Sequence, residues 1–154
     1  MSATAFQPQD PGFAARVRES FRRQAAMDTL GARLAAVEAG RVVIEMAWAR
    51  GLTQQHGFLH AGMLAAALDS ACGYAASTLM PEDAGVLTIE FKINLLAPAQ
   101  GPRFRMEGVV VKPGRTISVA EGRAWGIAGD GQEKLIATLG ATLMTVVGRD
   151  GIRH

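Results

Sequence analysis

Residues 61–79 read AGMLAAALDSACGYAASTL. The composition favours a helix, and the run is too long for an ordinary strand. Such a helix is apolar almost all round, so it has to be enclosed on most sides. One carboxylate, Asp69, interrupts it, and Pro81 ends it. The flanking segments supply the enclosure. VLTIEFKINLLAPA (86–99) alternates Leu87, Ile89, Phe91, Ile93 and Leu95 against Thr88, Glu90, Lys92 and Asn94, which is the period of a strand. Strands are also expected at 103–111 and 115–127, around Lys112-Pro113-Gly114, and at 133–147 after Asp130-Gly131. Residues 32–38 and 42–49 read as two more, joined at Ala39-Gly40, with a loop over 50–60. From Asp10-Pro11 to about Asp28 the chain reads as an amphipathic helix, with Phe13, Val17, Phe21 and Met27 opposite Arg16, Arg18, Arg22 and Arg23. One central helix among runs of strands implies an α+β domain in which an antiparallel sheet wraps around that helix.

The 154 residues suit a single domain over 11–147, between a flexible tail at 1–10 and a polar tail at 148–154. Charged residues make up 19%, below the usual ~25% of a soluble domain, so burial is extensive and includes a subunit interface. A homodimer is the expectation. The net charge is only +2, the basic residues are scattered and aromatics are few, which argues against a nucleic-acid surface. The lone cysteine, Cys72, excludes an internal disulfide. No stretch reaches the ~18 apolar residues of a membrane span, and the N-terminus lacks a signal-peptide pattern. The expected compartment is the cytoplasm.

The chemistry concentrates in TQQHGFLHAG (53–62) and Asp69. A helix starting near Ala61-Gly62 presents unpartnered N–H groups and the positive end of its dipole, and small residues let a ligand approach. That is an anion or oxyanion site. His60 stands just before it and Gln54 six residues earlier. Two readings of Asp69 stand at this point: an exposed surface carboxylate, or a desolvated base with a raised pKa. A carboxylate, an oxyanion site and amide or imidazole donors together suit acyl transfer. Metal binding by His56, His60 and Asp69 is disfavoured, because the two histidines lie in a loop rather than on one helical face. Cys72 reads as inert core. Ser70 and Ser77 lack a nucleophile elbow, and no phosphate-binding loop is present.

QQHGFLHAGMLAAALDSACGYAA (54–76) resembles the hotdog-fold thioesterases, in particular the PaaI-like branch of the 4-hydroxybenzoyl-CoA thioesterase superfamily. The shared pattern is an amide residue, a Gly-containing loop, a His-Gly-Gly-like step and an acid nine residues after that His, here His60 and Asp69. In element order the resemblance covers 28–147. It implies a hotdog fold with an additional N-terminal helix, and hydrolysis of acyl-CoA thioesters with fatty or aryl acyl groups. The implied oligomer is a homodimer, or a dimer of dimers, with active sites at the subunit interface. No metal or separate cofactor is implied, coenzyme A being part of the substrate.

By the same resemblance Asp69 is the nucleophile or general base, and the Ala61 N–H is the oxyanion donor. Gln54 and His60 orient the reacting groups. Thr88 positions water from the neighbouring subunit, and Gly114 and Arg115 meet the coenzyme A phosphates. Gly62 and Phe58 belong to the substrate site, with Met63, Leu64, Phe58 and the sheet expected to line an apolar acyl tunnel. Two positions depart from the family: Ala61 replaces a glycine, and Gly73 stands where some relatives carry Ser or Thr. A hotdog hydratase or dehydratase, and a non-catalytic acyl-CoA-binding module, are the alternatives.

Overall fold

A computed structural model describes residues 6–154. Two short helices, α1 (Phe13–Arg23) and α2 (Ala25–Leu30), precede strands β1 (Arg33–Glu38) and β2 (Arg41–Ala47). After a single 3-10 turn comes the central helix α3 (Ala61–Ser77). Four strands complete the chain: β3 (Gly85–Leu95), β4 (Arg103–Lys112), β5 (Ile117–Ile127) and β6 (Glu133–Val146). They form one antiparallel sheet in the order β1-β2-β4-β5-β6-β3, so β3 crosses to the far edge.

Helix α3 lies on one face of this sheet and packs against β2 to β6. Its Leu64, Ala67, Leu68, Ala71 and Ala75 are fully buried against Ile44, Phe104, Met106, Ala120 and Leu143. The approach is close enough that a Cβ at Gly108 would overlap the Ala71 backbone. The wrapped-helix architecture expected from residues 61–79 is therefore the observed one.

Several assignments differ from the sequence reading. The N-terminal helix does not run on to Asp28: Gln24 adopts extended backbone, splits α1 from α2, and gives its amide to Ser70 Oγ at 3.1 Å. Strand β3 ends at Leu95 rather than Ala99, because Leu96 and Ala97 both donate to Ile136 O and the chain then turns to meet Leu59. β5 begins at Ile117 rather than 115, since Gly114 donates to Ser118 Oγ in a wider connection than a tight turn. Residues 6–10 of the expected flexible tail are tied down: Phe6 packs on the core, Gln9 reaches Leu79 O, and Asp10 caps Gly12 and pairs with Arg16 at 2.9 Å. Residues 1–5 of that tail lie outside the described residues.

Candidate active site

The loop before α3 is locked by its own backbone. Gln54 N–H donates to Phe58 O and Gly57 N–H to Gln54 O, while Gly57 takes a left-handed φ of 85° that suits only glycine well. The Gln54 side-chain oxygen accepts the His56 N–H, which leaves its NH2 group free to point elsewhere. His60 is the N-cap of α3, and its Nδ1 accepts the Gly62 N–H at 2.9 Å. Nδ1 is then unprotonated and the ring carries its hydrogen on Nε2, facing outward. His60 therefore acts first as a cap.

The first turn of α3 can be counted amide by amide. Gly62 N–H goes to the His60 ring, and Met63 and Leu64 N–H go to His60 O. Among the described residues only the Ala61 N–H of this turn finds no acceptor. One free amide at the positive end of a 17-residue helix is an oxyanion donor in waiting. Ala61 lines a recess of about 460 Å³ together with Gln54, Phe58, Leu64, Leu95 and Leu96. Of the expected acyl-tunnel residues, Phe58 and Leu64 line this recess and Met63 does not.

Asp69 sits eight residues further along α3, about 12 Å at the helical rise. It is half-buried, and Thr88 Oγ1 donates to its Oδ1 at 2.8 Å. Burial pushes the Asp69 carboxyl above its ordinary value, and the Thr88 hydrogen bond pulls part of the way back. The alternation read in the sequence would put Thr88 with Glu90, Lys92 and Asn94, on the face away from the helix. A bulge between Thr88 and Glu90 changes that parity. Thr88 joins Val86 on the helix side, and Ile89 is the extra residue, 52% exposed. Thr88 thus serves the Asp69 of its own chain.

Asp69 and Ala61 do not share a recess within one chain. Asp69 lines a smaller one of about 140 Å³, with Gln24, Ser70, Gly73, Tyr74, Val86, Thr88 and His154. Gln24, Tyr74 and His154 carry no mark of this site in the sequence. Gln24 appears there as a helical residue, and His154 stands in a segment with no periodicity. Only the fold brings them to Asp69.

The other singled-out residues fall outside both recesses. Cys72 is buried, and its thiol is pushed up to about 12 by burial, reinforced by the charges of Asp69 and Glu121. At neutral pH it is a neutral core group. Gly114 and Arg115 line a third recess near the C-terminal end of α3, with Leu79, Met80 and Ser118. Arg115 is exposed, and no ion-pair partner for it occurs among the described residues. Among the described residues no three His, Cys, Asp or Glu side chains cluster as a metal site would need.

A sequence profile of the thioesterase superfamily matches residues 56–130, which contain His60, Ala61, Asp69 and Thr88. A solved structure of a thioesterase family protein from Silicibacter pomeroyi is 56% identical, covering 89% of this chain and all of that one, with a TM-score of 0.87. A Saccharolobus solfataricus protein named as a candidate esterase is 38% identical over 86 residues, 55% of this chain and 60% of that protein. The match therefore spans less than two thirds of that relative's length. The PaaI protein of E. coli is 18% identical with a TM-score of 0.75, covering 88% of this chain and 94% of that one, a likeness of fold alone.

Proposed function

This chain belongs to the hotdog-fold thioesterase superfamily, and we propose that it hydrolyses acyl-CoA thioesters at a site completed by two copies of the chain. One observation carries the reading. The one first-turn amide of α3 without an acceptor among the described residues and the only carboxylate on α3 line different recesses, about two helical turns apart. They can act on one carbonyl only if the Asp69 of one copy faces the Ala61 of another. The edge strand β3 supports such a pairing. It is 11 residues long and carries Ile89, Phe91 and Leu95 exposed at 52%, 42% and 55%. A long apolar edge of this kind requires a cover.

In this reading the thioester oxygen accepts from the Ala61 N–H and the Gln54 amide. Asp69, steadied by Thr88, takes a proton from water as the water oxygen bonds to the carbonyl carbon, or attacks that carbon itself to give an anhydride that water opens. The tetrahedral intermediate places its negative charge against the Ala61 amide and the α3 dipole. Collapse breaks the C–S bond, and the coenzyme A thiolate leaves and is protonated. Arg115, exposed and without an ion-pair partner among the described residues, is assigned to a coenzyme A phosphate. No separate cofactor enters the scheme.

Free-thiol release from a panel of aryl and linear acyl-CoAs, by wild type and Asp69→Asn, tests this. Turnover that collapses in a folded variant supports hydrolysis. Binding without release points to the acyl-CoA-binding module, and hydration of an enoyl-CoA points to the hydratase alternative.

A further inference from the structure

The segment after β6 folds back into the Asp69 region. Ile152 packs so closely on the start of β3 that a Cβ at Gly85 would overlap it. His154 follows and is held on three sides. Its Nε2 accepts the Val86 N–H at 3.0 Å, its Nδ1 meets Ser20 Oγ at 2.8 Å, and its ring lies 5.9 Å from that of Tyr74. Ser20 Oγ also shares a hydrogen bond with Tyr74 Oη at 3.2 Å. Because Nε2 accepts, the hydrogen is on Nδ1 and the ring is neutral. Burial, with Arg16 and Arg23 nearby, pushes its pKa down to about 4, in keeping with that state.

His154 stands between two recesses. On one side is the recess of Asp69, about 140 Å³. On the other is a recess of about 340 Å³ lined by Ser20, Arg23, Leu87 and Ile152, among others. Gln24, Tyr74, Val86 and His154 line both and so form the partition. Tyr74 and Val86 are anchored in α3 and β3, and Gln24 between α1 and α2 is tied to Ser70, whereas His154 is held by two hydrogen bonds and a ring contact. Removing its imidazole would join the two spaces.

The chemistry of a thioester decides which group enters the Asp69 recess. Coenzyme A is larger than either recess, so the sulfur side of the carbonyl has to lead outward. The acyl carbon next to the carbonyl, one bond from the attacked atom, then points into the walls around Asp69. We propose that His154 is the end wall of the acyl recess and restricts the enzyme to compact acyl groups. The proposal rests on the thioesterase reading of the site. A cavity of about 150 Å³ holds one benzene, so the limit falls near six heavy atoms beyond the carbonyl. The walls are largely polar, from Gln24, Ser70, Tyr74, Thr88 and His154, which also disfavours a long alkyl chain.

The test is a linear acyl-CoA ladder, from acetyl to dodecanoyl, run with wild type, His154→Ala, His154→Gln and Gly73→Ala. Wild type is expected to favour the short end. His154→Ala should raise the octanoyl-to-butanoyl ratio of kcat/KM by about tenfold or more, the range a pocket gains or loses per few methylenes. His154→Gln, which refills the space, should largely restore the wild-type ratio. Gly73→Ala adds a methyl to the lining of the same recess, where the nearest neighbour, Val86, is 4.0 Å away, and should lower the ratio. A ratio unmoved by both His154→Ala and Gly73→Ala overturns the proposal, and Gly73→Ala alone decides if His154→Ala fails to fold. Absence of turnover by wild type across the ladder would instead sink the hydrolase reading. Calorimetric affinities of the same acyl-CoAs for the Asp69→Asn background then read the wall independently, and a chain-length profile indifferent to His154 there also overturns it.

Discussion

Thr88 on the edge strand donates to Asp69 on the central helix across 2.8 Å, and only a one-residue bulge turns Thr88 toward the helix. Burial raises the Asp69 pKa and this hydrogen bond lowers it, so the two oppose each other on one carboxyl. Replacing Thr88 with Val removes the lowering influence and leaves burial. The folded-state pKa of Asp69 rises further above 3.8. Activity that needs the carboxylate is then lost at a higher pH on the acid side. The expected result is an acid limb of kcat/KM displaced upward in Thr88→Val, with the plateau above it much less affected. An acid limb that stays in place would separate Thr88 from Asp69 function.

Asp69→Asn should reduce kcat by about 10²–10⁴, the range typical of a positioned base or nucleophile. Stability should move the other way or not at all. A raised carboxyl pKa means that folding disfavours the charged form, and Asn has no charge to desolvate. Thermal unfolding of the variant checks this. A marked loss of Tm would mean that the carboxylate is a structural partner.

The overall fold was legible because the run 61–79 leaves few ways to be buried. Asp69 stood out for the same reason, as a carboxylate with no polar face to join. Thr88 could not be oriented by alternation, because a bulge reverses parity without leaving a mark in VLTIEF. Gln24 read as a helical residue, whereas its extended backbone and its bond to Ser70 depend on how α1 meets α3. His154 was invisible, since its partners Ser20, Tyr74 and Val86 lie 68 to 134 residues away or, for Tyr74, on the central helix.

The cap at His60 separates two roles of one residue. His60→Ala removes the acceptor of the Gly62 N–H and should cost about 0.5–2 kcal/mol in chemical denaturation. His60→Asn, an efficient N-cap, should recover most of that stability. If activity returns with Asn as well, the cap suffices to position Ala61. If only stability returns, the outward Nε2–H takes part in the reaction.

His154 gives stability a pH dependence of definite sign. Its pKa is about 4 when folded against an ordinary 6.5, so between these values the unfolded chain binds more protons. Its contribution is fully present above pH 6.5 and is lost as the pH falls toward 4. The loss is on the order of 2 kcal/mol, capped by undocking of the segment after β6. Denaturant titrations at pH 7 and pH 5 should show this difference in wild type and a smaller one in His154→Gln. Asp69 works against it, because a raised carboxyl loses stability as the pH rises through its own range.

The division of the site between two copies can be tested without a structure of the dimer. Asp69→Asn disables the carboxylate. Ala61→Pro deletes the amide hydrogen at the first helical position, where proline is well accommodated. Each variant alone should be inactive. In a mixed dimer, the copy carrying Asp69→Asn still supplies Ala61 and the copy carrying Ala61→Pro still supplies Asp69, so one of the two sites is whole. Random pairing on co-expression makes about half the dimers mixed, and activity should return to about a quarter of wild type. If Asp69 and Ala61 acted within one chain, both sites of every mixed dimer would stay broken and no activity would return. Ile89→Lys and Phe91→Asp on the open edge of β3 should abolish the recovery by preventing the dimer, with size-exclusion chromatography and light scattering reporting a monomer.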